Sequence, residues 1–225
     1  MLYLTLFIIS FFWAVPNRYS ENFQTDYFEG TITYKSFTRD ENGKLVESKI
    51  LGNQEHFFKD TFYKYNMQLK GGLADLSFAE IIVNTQDSSR YRIDHLNKTA
   101  ESLGMERVSE AYLPIEIKFL HNQDTLLGYS CIKYEMLQLD FYTQAPLKSY
   151  IWIAEGISVK NLPLLGRIFG YQNSLIKDGS LNGLALRYES EGTLNSDALV
   201  IQATEVNPII LEKSAFEVPP MYLRE

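Results

Sequence analysis

Apolar and polar residues alternate along much of this chain, which is the pattern of strands with one buried face. In the strand-like residues 115–121, the apolar Ile115, Ile117 and Phe119 alternate with the charged Glu116 and Lys118. A second strand-like run, residues 126–139, follows the turn-forming residues Asn-Gln-Asp at 122–124. The pattern predicts the inner hairpin of an antiparallel sheet. Gly128 opens its second strand and predicts a bulge or a close backbone approach that bends the sheet.

The same alternation predicts further strands before and after this hairpin. They cover residues 27–35, 45–51, 80–84, 90–96, 98–103, 147–154, 184–190 and 198–206. In the strand at 90–96, Tyr91 and Ile93 are expected to face opposite to Arg90 and Arg92. Many short strands separated by turn signals favour an all-β sheet, barrel or half-barrel over an alternating βαβ fold.

Two segments between these strands carry specific signals. Asn42 and Gly43 form the strongest short-range hairpin signal, since both central residues of such a turn take positive φ. Residues 54–69 have aromatic side chains at odd and even positions, which predicts one strand that is covered on both faces or strongly twisted.

The period changes over residues 161–170, Asn-Leu-Pro-Leu-Leu-Gly-Arg-Ile-Phe-Gly. Asn161 suits an N-cap and Pro163 an early helical position, and the apolar residues recur at helical spacing. Those apolar residues are Leu164, Leu165, Ile168 and Phe169. The segment predicts a short amphipathic helix, so the mainly β fold is expected to carry one or two short helices.

The chain begins with a strongly apolar segment. Residues 2–15 are interrupted only by Thr5 and Ser10, which gives the length of a signal-peptide core and is short for a bilayer span. A buried first strand or an uncleaved anchor is the alternative, because no Lys or Arg precedes Arg18. We expect residues 1–15 to be a signal peptide or an N-terminal apolar segment and residues 21–225 to be a single β domain. The mature chain is then expected to be periplasmic or secreted, with no integral membrane span.

Composition limits the classes of partner. The 225 residues carry a formal net charge of -7 without a Lys/Arg cluster, which argues against nucleic-acid binding. Aromatic residues are abundant, with 15 Tyr and 14 Phe. Strand propensity and core packing explain such a surplus, and so does an apolar ligand cavity. If a cavity is present, Trp152 and the four apolar residues of the predicted helix are the candidate ligand-binding residues.

Catalytic and metal-binding patterns are missing from the sequence. Cys131 is the only cysteine and is expected to be a small buried residue of its strand. His56, His95 and His121 lie in different predicted strands, without the spacing of metal ligands. The chain has neither a phosphate-binding glycine loop nor a Gly-x-Ser-x-Gly nucleophile elbow. We therefore expect no enzymatic activity, no cofactor and no metal.

Four segments, in chain order, carry a resemblance to a known group of proteins. They are Phe-Glu-Gly-Thr-Ile-Thr-Tyr at 28–34, Leu-Gly-Tyr-Ser-Cys-Ile-Lys-Tyr at 127–134, Gly-Leu-Ala-Leu-Arg-Tyr at 183–188 and Phe-Glu-Val-Pro at 216–219. Together they resemble secreted bacterial domains of unknown function that look related to the periplasmic lipoprotein carriers, the LolA/LolB-like group. The resemblance implies a curved antiparallel sheet that forms an incomplete, or half, barrel around a hydrophobic cavity, with helical segments as a lid.

In those carriers the cavity receives the acyl chains of a lipoprotein. The resemblance therefore implies a protein that binds a lipid or an acylated protein, with Leu164, Leu165, Ile168 and Phe169 on the lid. The alternative is a non-enzymatic structural or protein-interaction module of the cell envelope. Its sheet would be filled by its own side chains, and its partner would be another envelope protein.

Overall fold

A computed structural model describes residues 27–40, 42–71, 80–104, 116–139, 146–160, 183–191 and 198–224. Within these ranges the chain forms thirteen strands and one single-turn 3-10 helix, Lys213–Phe216. The strands are β1 Gly30–Arg39, β2 Leu45–Glu47, β3 Leu51–Lys59, β4 Phe62–Leu69, β5 Glu80–Asn84, β6 Ser89–Asp94, β7 Thr99–Ser102, β8 Glu116–Leu126, β9 Tyr129–Leu139, β10 Pro146–Ala154, β11 Leu184–Ser190, β12 Leu199–Pro208 and β13 Leu223–Arg224.

All of these strands belong to one curved, unclosed sheet. Its order is β13-β7-β6-β5-β4-β3-β1-β12-β11-β10-β9-β8, and β2 pairs with β1 beside this path. The strand pairs are antiparallel except for β13 with β7. Among the described strands, none joins β8 to β13, so the sheet has two edges. The predicted mainly β fold with a curved antiparallel sheet is confirmed.

Two predicted segments lie outside the described residues. They are the N-terminal apolar segment, residues 1–15, and the amphipathic helix at residues 161–170. The lid therefore stays a prediction. In the ranges that are described, no helix has the length and apolar character needed to cross a membrane.

Much of the main core lies on one side of the sheet, which we call the inner face. Alternate residues of each strand supply it. On β1, the buried Ile32 lies opposite His56 of β3, which lies opposite Tyr65 of β4. Fully buried members of this core are Ile32, Phe58, Tyr63, Ile151 and Leu186. Each such side chain contributes about 1.5–3 kcal/mol of burial free energy.

Residues 54–69, predicted as one strand, form the hairpin of β3 and β4. The turn lies at Asp60, which adopts a φ of 49°. Aspartate tolerates this left-handed conformation better than most residues, so the chain reverses here without Gly or Pro. The aromatic residues at odd and even positions are divided between the two faces, with Tyr63 on the inner face and Phe62 on the other, outer face.

The hairpin of β8 and β9 also differs from its prediction. Strand β8 continues through residues 122–124, and the turn consists of Leu127 and Gly128, with φ of 53° and 85°. Two consecutive positive φ angles match the tight turns of twisted hairpins. A Cβ on Gly128 would meet nothing within 4 Å, so the predicted close approach is wrong. Nor is the hairpin internal among the described strands, since β8 lies at the end of their order.

The C-terminal residues cover part of the outer face. Phe216 is buried beside Phe62 of β4, with 6.0 Å between ring centroids. A second, smaller core forms there from Phe216, Ile82, Ile93 and Ala100. The outer face over β4 to β7 is therefore protected by the chain's own C-terminal segment.

Candidate ligand-binding site

A row of apolar side chains crosses the inner face from the β8 edge toward the centre of the sheet. Phe119 of β8 lies opposite Tyr134 of β9, Tyr134 opposite Ile151 of β10, and Ile151 opposite Tyr188 of β11. Directly paired residues in antiparallel strands have their side chains on the same face. Phe119 is 47% exposed and Ile151 0%. The row, which we call the edge row, therefore begins in solvent and ends in the core.

The exposed end of the edge row has further apolar neighbours. The Phe119 ring centroid lies 4.5 Å from that of His121 and 5.7 Å from that of Tyr134. Ile117 is 43% exposed, and its partner on β9 is the fully buried Met136. Apolar surface that is continuous with a core and open to solvent is typical of binding sites.

An aromatic cluster around His56 occupies another part of the inner face. The ring centroids of Tyr34 and Tyr65 lie 4.7 Å and 4.9 Å from the imidazole. The Tyr63 hydroxyl and Nδ1 of His56 are hydrogen-bonded at 3.0 Å. Burial lowers the pKa of His56 to about 3, because a buried imidazolium loses its hydration. A histidine with this pKa stays neutral near pH 7 and is not poised for acid–base catalysis there.

Trp152, one of the residues expected at a ligand site, points to the outer face. It alternates with the inward-facing Ile151 and lies opposite Lys133 of β9 and Arg187 of β11. The Lys133 ammonium lies 4.6 Å and the Arg187 guanidinium 4.8 Å from the centroid of its ring. Both contacts have the geometry of cation–π interactions. Trp152 is thus a buried member of the hydrophobic core with two cations over its ring, and its role as a ligand contact stays a prediction.

The charges beside Trp152 belong to a network between strands. Arg187 donates hydrogen bonds to Gln202 at 3.1 Å and to Glu189 at 3.0 Å, and Nε of Arg39 donates to Glu189 at 3.1 Å. Burial acts to raise the pKa of Glu189, but the hydrogen bonds from Arg39 and Arg187 outweigh it and lower that pKa. The network fixes β1, β11 and β12 side by side.

The other predicted site residues, Leu164, Leu165, Ile168 and Phe169, lie outside the described residues. Their role as the apolar stripe of a lid also stays a prediction. The sequence patterns alone do not identify the edge row. Its signal was present in the alternation of Ile117 and Phe119 with charged residues, but alternation alone does not show that β8 is an edge strand.

A concavity of about 420 Å³ lies on the outer face beneath the C-terminal segment. Apolar and aromatic side chains and several polar ones line it: Phe62, Ile82, Tyr91, Phe216, Val218, Pro220, Asn84, Asp87, Ser89, Glu217 and Arg224. Its volume is within the range of small-molecule sites. Sequence patterns do not indicate this concavity, because only the fold brings residue 216 against β4 and β6.

Reactive groups are sparse in the ranges described. No group of three or more His, Cys, Asp or Glu side chains within them is placed to hold a metal ion. Cys131 lies buried in β9, and burial raises the pKa of its thiol. A protonated, buried thiol is a poor nucleophile.

Comparisons with known proteins leave the chain without a family. No protein-family model matches it, and no curated protein matches its sequence. Among solved structures, PNGF-II aligns with 88% of this chain at 14% identity and a TM-score of 0.48, and the chain spans 31% of its length. Lipoprotein LppX of Mycobacterium tuberculosis aligns with 80% of this chain and 90% of its own at 13% identity, with a TM-score of 0.35. Likenesses this distant assign no function.

Proposed function

We propose that this chain is a non-enzymatic binding protein that holds an apolar ligand, a lipid or an acyl chain, against the inner face of its sheet. The observation that carries this proposal is the edge row, which leads without a break from the exposed Phe119 to the buried Ile151. A bound acyl chain would cover the open end of the edge row. Each methylene that it removes from water would contribute about 0.8 kcal/mol.

The protein would be exported and would close over its ligand. The apolar residues 2–15 support export to the periplasm or secretion. Leu164, Leu165, Ile168 and Phe169 would then cover the bound ligand as a lid, and an acylated protein would be a further form of the same ligand. Burial of the acyl chain would supply the favourable free energy of binding, and the free energy of opening the lid would offset part of it.

Titration with methyl dodecanoate, an uncharged acyl probe, tests the proposal. We expect saturable binding by the wild-type protein and at least a tenfold weaker affinity in Phe119→Asp. The variant places a charge where the acyl chain of the probe would lie. Leu96→Asp is the matched control, since Leu96 is 89% exposed in the turn between β6 and β7. Equal affinities of the wild-type protein and Phe119→Asp would contradict the proposed site.

A protein-interaction module is the second candidate, and one observation favours it. Strand β8 has eleven residues, and its edge away from β9 pairs with no other described strand. A partner segment could add to such an edge through main-chain hydrogen bonds. In this case Phe119→Asp would leave lipid uptake unchanged, while Thr125→Pro, which disrupts the edge of β8, would abolish capture of an added partner strand.

A further inference from the structure

The inner face near β6 carries a cation, Arg90, for which the described residues supply no ion-pair partner. The register places Phe58 of β3 opposite Tyr63 of β4, Tyr63 opposite Val83 of β5, and Val83 opposite Arg90 of β6. Phe58, Tyr63 and Val83 are fully buried or nearly so, and Arg90 is half-buried. An aromatic and apolar row of the inner face thus ends at a guanidinium.

Arg90 lacks the partners that an arginine at such a position normally has. Its Nε is buried without a hydrogen bond, and no carboxylate in the described residues forms an ion pair with it. Leaving a buried charged donor unsatisfied is costly. Burial raises the pKa of the Tyr63 hydroxyl well above its ordinary value, and the charge of the nearby Arg90 acts against that rise.

The next arginine on the same strand provides the contrast. Arg92 lies on the same face, two residues along β6, opposite Ile81 of β5 and Glu101 of β7. Its guanidinium forms an ion pair with Glu101 at the surface. Among the described residues, Arg92 is thus neutralised by a carboxylate and Arg90 is not.

We propose that Arg90 binds the carboxylate of a fatty acid whose acyl chain lies on the inner face over β4 and β5, so that this part of the inner face takes a charged acyl ligand. The described residues offer a partner for the carboxylate and an apolar surface for the acyl chain. A planar guanidinium donates two parallel hydrogen bonds to a carboxylate. Tyr65, Met67 and Ile81, which are half-buried on the same face, offer partly open apolar surface to the start of the chain.

The test compares dodecanoate with methyl dodecanoate at pH 7.5 by isothermal titration calorimetry. The two probes have the same acyl chain, but dodecanoate is an anion and methyl dodecanoate is uncharged. We expect the wild-type protein to bind the acid more tightly than the ester. Arg90→Gln should weaken binding of the acid by about 10- to 100-fold and leave binding of the ester unchanged, because hydrogen bonds to a charged group are lost for the acid alone. Arg92→Gln is the matched control and should leave both affinities unchanged.

The outcomes separate this inference, which rests on the proposed function, from that function. If acid and ester bind equally and Arg90→Gln changes neither, the apolar site stands and the role of Arg90 is overturned. If neither probe binds the wild-type protein, both proposals fail. Should Arg90→Gln not fold, Arg90→Lys is the second variant. It keeps the charge but loses the bidentate geometry, so a smaller loss confined to the acid supports the inference, and no loss overturns it.

Discussion

The hydroxyl of Tyr34 donates a 2.8 Å hydrogen bond to the main-chain carbonyl of Ala185, which joins β1 to β11 across the strand between them. Tyr34 lies opposite Ala203 of β12, so its side chain passes over a residue small enough to allow it. The paired residues of β11 and β12 are 187–190 with 199–202, and Ala185 lies beyond them. The tyrosine thus continues a connection between strands where the ladder itself ends.

Tyr34→Phe tests this connection. The variant leaves the buried carbonyl of Ala185 without its donor, so we expect the free energy of unfolding to fall by about 1–3 kcal/mol. Urea denaturation measures the change. Tyr150→Phe is the control, because the Tyr150 hydroxyl contacts Glu191 at the surface, and it should change stability by no more than about 0.5 kcal/mol. Equal effects of the two substitutions would show that the buried bond adds nothing.

Acid should destabilise the protein through His56. Its pKa is about 3 in the folded chain, against an ordinary value of 6.5, because the imidazole is buried. Between these values the unfolded chain binds a proton that the folded chain does not, so stability falls as pH falls from about 6.5 toward 3. This residue alone should remove on the order of 1 kcal/mol per pH unit in that window.

The free energy of unfolding at several pH values between 7 and 4 measures this effect. His56→Gln lacks the titrating group, and its stability should fall less steeply with acid than that of the wild-type protein. His121→Gln alters an exposed histidine and should keep the wild-type slope. A wild-type slope in His56→Gln would exclude His56 as the cause.

Gly183 should not tolerate a side chain. It adopts a φ of 144° just before β11, and a Cβ there would lie 2.5 Å from the carbonyl oxygen of Ala154. Gly183→Ala therefore combines backbone strain with a clash, and we expect a loss of at least about 2 kcal/mol in the free energy of unfolding. In Gly104→Ala the new Cβ meets nothing within 4 Å, so this control should stay near wild type in urea denaturation.

The smaller core on the outer face should depend on Phe216. This side chain is buried against Phe62 and Ile82, although it comes from the C-terminal segment. Phe216→Ala should cost about 3–5 kcal/mol, because a large buried ring leaves a cavity. Met221→Ala removes a side chain that is 73% exposed and should have little effect. A loss below about 1 kcal/mol in thermal or urea unfolding of Phe216→Ala would mean that the C-terminal segment is only loosely attached.

The strands themselves were predictable where apolar and polar residues alternate cleanly. The prediction at 184–190 coincides with β11, and the opposite facing of Arg90 and Tyr91 on β6 is confirmed. The prediction failed at Asp60, because this turn has no Gly or Pro and the aromatic residues continue on both sides. It failed again at Gly128, where the two-residue turn has a single glycine.

The candidate site was less predictable than the strands. That Arg90 shares a face with Val83 and Tyr63 depends on strand register, which is set by long-range pairing. The exposure of Phe119 depends on β8 being an edge, and strand order likewise follows from contacts distant in the sequence. Periodicity shows that a residue faces one side, but not which other residues share that side.

Native mass spectrometry of the purified protein, followed by lipid extraction, tests the central claim most directly. We predict a stoichiometric bound lipid or acylated peptide, or uptake of added fatty acid, and loss of that ligand on replacement of Leu165 and Phe169 by Asp. The ligand mass would also identify the class of molecule that is carried. A mass equal to that of the chain alone, with no uptake of fatty acid or lipopeptide, would contradict the account and favour a protein-interaction module.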